Sequence, residues 1–206
     1  GDTAISLLGT TIDAFFLFFL VKVAKVPPAY AAAALFVAKT WDWINDPLMG
    51  VISDHTHSRW GKRRPWLLFG ALPFGLAFAM MWWIPPIVDL RWLAAYYGLA
   101  YFLFDTGFTI IGVPFAALLP DLASTYDERT SVSSYRMAFS IATGLLAFTA
   151  PVLANLPLFR GSPVGWLAVA GFFGILSIAS MLIVFAATAG GFDPDNRLPD
   201  ARRGNA

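Results

Sequence analysis

Apolar residues run through this chain in long blocks, and short polar or proline-rich stretches interrupt them. Six blocks approach the length that a helix needs to cross a bilayer, about 20 mostly apolar residues. They cover roughly residues 4–24, 29–53, 66–86, 92–118, 135–156 and 164–188. At their junctions lie KVPPAY, DHTHSRWGKRRP, PPIVDLR, DLASTYDERTSVSS and NLPLFRGSPVG. The pattern predicts an all-α integral membrane protein, with six transmembrane helices forming one bundle over residues 1–188. A polar cytoplasmic tail or linker is expected over residues 189–206. No low-complexity segment stands out, and any three-plus-three repeat is hidden within the spans.

Composition supports a lipid setting. Of 206 residues, 58% are hydrophobic and 13% charged, with a mean hydropathy of +0.65. Soluble domains carry about 25% charged residues. A net charge of +1 points to no acidic partner, and the KRR run is too short for a nucleic-acid surface. The absence of cysteine excludes disulfides, thiolate metal sites and thiol nucleophiles. Asp2 precedes the first apolar run and no basic stretch does, so that run reads as a span and not a cleaved signal.

Lys and Arg set the expected orientation. One side collects Arg59, Lys62, Arg63, Arg64, Arg129, Arg197, Arg202 and Arg203; the other collects Lys22, Lys25, Arg91 and Arg160. Positive-inside bias then puts both termini in the cytoplasm. The expected location is a bacterial inner membrane. Trp82, Trp83, Trp92 and Trp166 near predicted outer ends, and Trp60 and Trp66 near an inner one, suit interfacial belts.

The second block breaks the pattern. KTWDWINDPLMG, residues 39–50, places Lys39, Asp42 and Asp46 inside a predicted span. Asp42, Asn45 and Asp46 are spaced i, i+3, i+4 and share one helical face, with Lys39 one turn earlier. Each charge at mid-membrane costs about 2.5–3.5 kcal/mol on insertion scales. The cost falls if Lys39 pairs with Asp42, or if a cation sits between the carboxylates. A proton serves as well, because low dielectric and a like-charged neighbour both favour the neutral acid. Pro47 removes a backbone hydrogen bond beside these residues. The bland alternative makes Asp46 a hydrated residue near the inner interface. Yet it lies eight residues before Asp54, about 12 Å of helix, which is deep for so short a side chain.

Three more charges fall within or at the ends of spans: Asp13 in the first, Asp105 in the fourth and Arg136 at the start of the fifth. With Lys39 they suggest a polar interior that could hold a polar solute. The connection GVISDHTHSRWGKRRP holds Gly50, Asp54, Arg59, Gly61, Lys62 and Arg63. It resembles the cytoplasmic loop signature of the major facilitator superfamily. Gly61 permits a tight turn, and Asp54 can pair with a basic side chain as helices approach. A positive-inside anchor is the plainer reading. His55 and His57 read as solvated loop residues.

WDWINDPLMG, SRWGKRRPW and GVPFAALLPDLASTYDERTSVSSYR together resemble the glycoside-pentoside-hexuronide:cation symporters, the melibiose-permease branch of that superfamily. The likeness covers nearly all of this chain but only the N-terminal half of such a transporter. It implies one bundle of a major-facilitator-type fold. It implies a coupling-cation site at Asp42, Asn45, Asp46 and Thr109, and solute contacts at Asp13 and Arg136, with Lys39 at a position that is basic in the galactoside permease. The permease's fourth-span carboxylate and aromatic are Gly112 and Ala116 here. Asp105, two turns upstream on the same face, is expected to relocate that charge, or else the solute differs.

The first functional expectation is secondary transport of a small polar solute, with sugars one candidate class, coupled to Na+ or H+. The solute would dock among Asp13, Lys39, Asp105 and Arg136. A second six-helix bundle, a copy or a C-terminal half, would complete the path. The second expectation is a transporter-derived accessory subunit packed in a larger membrane complex. No cofactor is expected beyond the coupling ion. An enzyme is not expected, since no Ser/His, Cys/His or metal constellation falls within the spans.

Overall fold

The computed structural model describes residues 1–56, 58, 60, 63–122, 125–159 and 162–188, and for 118–122 the backbone alone. Its helices are α1 (Asp2–Phe18), α2 (Pro28–Lys39), α3 (Asp42–His55), α4 (Arg64–Met81), α5 (Leu90–Leu122), α6 (Tyr126–Ala147), α7 (Ala150–Ala154) and α8 (Val164–Ala187). They make up the six expected spans, with α2 and α3 sharing the second and α6 and α7 the fifth. Among the described residues, five helical stretches are long and apolar enough to cross a membrane, with mean hydropathies from 1.3 to 2.4. The interrupted and charged second span is not among them.

Local chemistry explains where the elements begin and end. A π turn over Phe19–Val23 extends α1. The chain then stops at Lys25, whose φ of 61° is left-handed, and the Val26 N–H reaches back to the Leu20 carbonyl at 2.9 Å. The bond reaches back six residues, one more than in a Schellman motif, in keeping with the π turn before it, and the buried Val26 gives this left-handed stop an apolar contact. Pro27 and Pro28 then set the entry to α2. The fifth span starts at Tyr126, nine residues earlier than the hydropathy pattern suggests. Thr125 and Glu128 form a reciprocal capping box that carries the polar stretch into helix.

Packing follows a simple scheme. α1 lies against α6 and α8, α5 lies against α2, α3 and α4, and α4 lies against α8. Exchanging the first three spans for the last three maps these pairs onto themselves. That is the contact pattern of a three-plus-three internal repeat. Its centre is the crossing of α4 and α8. A Cβ on Gly174 would stand 3.4 Å from the Gly75 carbonyl oxygen, and one on Gly75 would stand 2.7 Å from Ile178. Small residues here let two helices approach as closely as membrane packing requires.

Aromatic residues fill one end of the core. Trp82 and Trp166 stack with centroids 5.2 Å apart and planes within 4°, Phe16 and Phe19 pack on Trp82, and Tyr97 packs on both phenylalanines. Both tryptophans are buried, which corrects their expected place in an interfacial belt. Each meets other aromatics across the bundle, so ring packing outweighs the pull of the interface. Trp83 and Trp92 do remain exposed. At the opposite end, Arg64 is buried. It donates to the Phe185 carbonyl at 2.7 Å and the Thr188 hydroxyl at 3.1 Å, and lies over the Phe185 ring. A guanidinium at the last turn of α8 meets the negative end of that helix.

Two substitutions test this account by thermal denaturation in detergent. Lys25→Gly relieves a left-handed backbone and is expected to gain about 1 kcal/mol. Gly165→Ala drives a methyl into the Ala154 carbonyl and Phe159, and is expected to cost about 1–3 kcal/mol.

Candidate cation and solute site

The charged segment of the second span lies at a helix interruption. Regular bonding lapses at Trp41, whose N–H turns to the Ala38 carbonyl at 3.1 Å. The Thr40 hydroxyl takes over the Val37 carbonyl that this N–H would have met, at 2.8 Å. Such back-bonding by Thr competes with the helix ladder and bends it. Lys39 therefore stands in the last turn of α2 and Asp42 in the first turn of α3. Each charge faces the helix end whose partial charge opposes its own. Pro47 follows within α3, as expected.

Around this break a charged layer assembles. Lys39 Nζ lies 2.6 Å from Asp42 Oδ2 and 3.6 Å from Asp105 Oδ1. Asp105 comes from α5, with its side chain only 6% exposed, and its Oδ2 has no hydrogen-bond donor among the described residues. The Asp42 and Asp105 carboxylates thus flank one ammonium. Lys39, Asp105, Asp13 and Asp42 all act electrostatically on the Tyr101 hydroxyl. One turn further along α3, Asp46 accepts from the Thr109 hydroxyl at 2.8 Å. Trp41 Nε1 donates to Thr106 at 3.2 Å and its ring packs on Phe102, which fixes α3 against α5.

The expected cation residues divide their tasks. Asp42 is engaged by Lys39, and Asp46 by Thr109. Asn45 is buried beside them, its amide nitrogen without a partner among the described residues. The donor set is all oxygen, and the Asp46–Thr109 pair puts two such atoms at close range. Hard cations take ligands of this kind.

Of the expected solute residues, Asp13, Lys39 and Asp105 share the layer around Tyr101, but Arg136 does not. It lies in the third turn of α6 rather than at a span end. It pairs with Asp2 through contacts of 2.9–3.1 Å and lies 4.6 Å over the Phe115 ring. Asp2 and Asp13 are eleven residues apart on α1, about 16 Å of helix, so Arg136 belongs to a separate polar layer. Gly112 faces open space, while Asp105 turns toward Lys39.

In the expected gate loop, Asp54 pairs with Arg63 at 3.1 Å, and Arg63 also donates to the Ala117 carbonyl of α5. A Cβ added at Gly50 would meet open space. Arg59, Gly61 and Lys62 lie outside the described residues, as do His57, Arg160 and the tail.

Sequence reasoning missed Tyr101, Thr106, Asp2 and Arg64. Tyr101 had a signal, since it precedes Asp105 by four residues just as Thr109 follows it by four. That makes a buried polar stripe on α5. Thr106 had none, because its role depends on where Trp41 falls.

The chain matches the MFS/sugar transport protein family over residues 1–202. It belongs to that family. Among curated relatives it is 38% identical to a Synechocystis symporter, sll1374, over 88% of this chain and 34% of that protein. It is 30% identical to the inner membrane symporter YicJ of Escherichia coli, over 89% of this chain and 39% of that one. It is 28% identical to the isoprimeverose transporter of Lactiplantibacillus pentosus, over 91% and 40%. The chain thus spans roughly a third to two-fifths of the length of these relatives. That family and these relatives are membrane transporters and not enzymes, in accord with the helical bundle of the described residues.

Thr109→Val keeps the shape of a buried side chain but removes its donor to Asp46. It is expected to lower thermal stability in detergent by about 1 kcal/mol, whereas Thr109→Ser stays close to the parent.

Proposed function

We propose that this chain is one six-helix bundle of a cation-coupled symporter for a small polar solute, with sugars the favoured class. A second six-helix bundle, supplied by further sequence or by another copy, completes the pathway. The observation that carries this reading is the layer of Lys39, Asp42, Asp105, Asp46 and Thr109 at an interrupted span. Three or four ionised groups there cost of order 8–10 kcal/mol or more if left uncompensated. A scaffold gains nothing from that cost, whereas a transporter needs groups that a cation and a solute can neutralise in turn. The printed names of relatives support it: several are symporters, one transports isoprimeverose, and the mouse relative is a sodium-dependent lysophosphatidylcholine symporter.

In this reading Asp42, Asn45, Asp46 and Thr109 hold Na+ or H+. The solute docks beside Asp13, Lys39 and Asp105, with Arg136 reached from the neighbouring layer. The two bundles rock to expose the site to either side. The termini and the loop of Gly50, Asp54, Arg59, Gly61, Lys62 and Arg63 lie in the cytoplasm, where the Asp54–Arg63 pair helps to hold a gate. The membrane is a bacterial inner membrane.

The test is uptake into proteoliposomes by the full transporter, with a panel of sugars and imposed Na+ or proton gradients. A gradient is expected to drive uptake of at least one solute. Asp46→Asn is expected to reduce gradient-driven uptake at least 10-fold, a loss of about 1.4 kcal/mol of coupling. Full gradient dependence after loss of both Asp42 and Asp46 carboxylates would defeat the reading.

A further inference from the structure

We propose that Lys39 is a tethered cation that occupies Asp42 when no coupling ion is bound, and that Asp105 is the carboxylate onto which it is displaced. The proposal rests on the cation site described above and adds a competitor built into the chain.

Geometry is the main support. The Lys39 ammonium lies 2.6 Å from Asp42, so it takes the place where a hard cation would meet that carboxylate. One carboxylate oxygen does not serve an ammonium and a bound cation at full strength together, because the two like charges repel at such range. Pairing of Lys39 with Asp42 and binding of a cation at Asp42 therefore compete with one another. The Asp105 oxygen is 3.6 Å from the same ammonium. A movement of roughly 1 Å brings it into the range of a charge-assisted hydrogen bond.

Burial gives the second support. Asp105 is 4% exposed, and its Oδ2 lacks a donor among the described residues. A buried carboxylate left short of partners is costly. Closer approach of the ammonium to Oδ1 gives this buried carboxylate a full charge-assisted contact and offsets part of the loss of the Lys39–Asp42 contact. Lys39 is free to make the move: its side chain is 61% exposed, on a four-carbon stem at the very end of α2. The groups facing it are Asp42 from α3, and Asp105 and Tyr101 from α5.

Self-occupation lowers apparent affinity by the fraction of molecules in which Asp42 is uncommitted. If that fraction is about one tenth, removal of the ammonium tightens cation binding about 10-fold. Loss of the Asp105 charge acts in the opposite sense, because a displaced ammonium then has no buried acceptor.

The experiment is equilibrium binding of radioactive sodium to the full transporter in lipid nanodiscs, at fixed neutral pH and without solute. Lys39→Gln is expected to tighten Na+ binding about 10-fold, and Asp105→Asn to weaken it several-fold. Should Lys39→Gln fail to fold, Asp105→Asn decides alone, with unchanged affinity counting against the proposal. If the parent binds Na+ but Lys39→Gln binds no more tightly, the tethered-cation idea falls while the transport reading stands. If the parent binds no Na+ at all, the Na+ form of both is overturned.

Discussion

The ion pair between Lys39 and Asp42 spans the one place where the second transmembrane segment stops being a continuous helix. Both groups would be expensive in hydrocarbon. They are tolerated because the interruption gives each of them a helix end of opposite sign, gives them each other, and brings Asp105 within reach. Remove the break and Lys39 and Asp42 become ordinary side chains on one cylinder, with no helix termini to offset them. Thr40 makes the break possible by taking over an orphaned carbonyl with its own hydroxyl. A single β-branched polar residue thus links backbone geometry to the chemistry of the layer.

That layer is held in register by α5. Tyr101, Asp105 and Thr109 form a stripe at intervals of four residues, and all three are buried. Asp105 reaches toward the break and Thr109 reaches Asp46, so one helix presents polar contacts to the last turn of α2 and to α3. Trp41 adds an indole contact to Thr106 on the adjacent face. The site is therefore built on helices rather than loops.

Much of this was legible in the chain. Six apolar blocks became six spans, because spanning length leaves little choice once the composition is apolar. The spacing of Asp42, Asn45 and Asp46, and their likeness to a known motif, singled out the segment where the structure places the Lys39–Asp42 pair and the Asp46–Thr109 contact. The placement of Arg136 was not legible as a partner of the other solute residues. Its own helix begins at Thr125 through a cap, which moves Arg136 from a span end to mid-helix. Its partner, Asp2, lies 134 residues away in sequence. The burial of Trp82 and Trp166 was hidden for a similar reason. Position near a span end predicts an interface, and only the facing of third and sixth spans reveals a stacked pair.

The third and sixth spans are fastened at both ends and in the middle: by the stacked indoles, by the Gly75–Gly174 crossing, and by Arg64 at the last turn of α8. Such a triple fastening makes a stiff slab that yields little under load. Compliance must then be found elsewhere. The second span, interrupted at Trp41, carrying Pro47, and backed chiefly by α5, is the softest member of the assembly. Any strain imposed on the bundle would concentrate there, at the same residues that carry its charge.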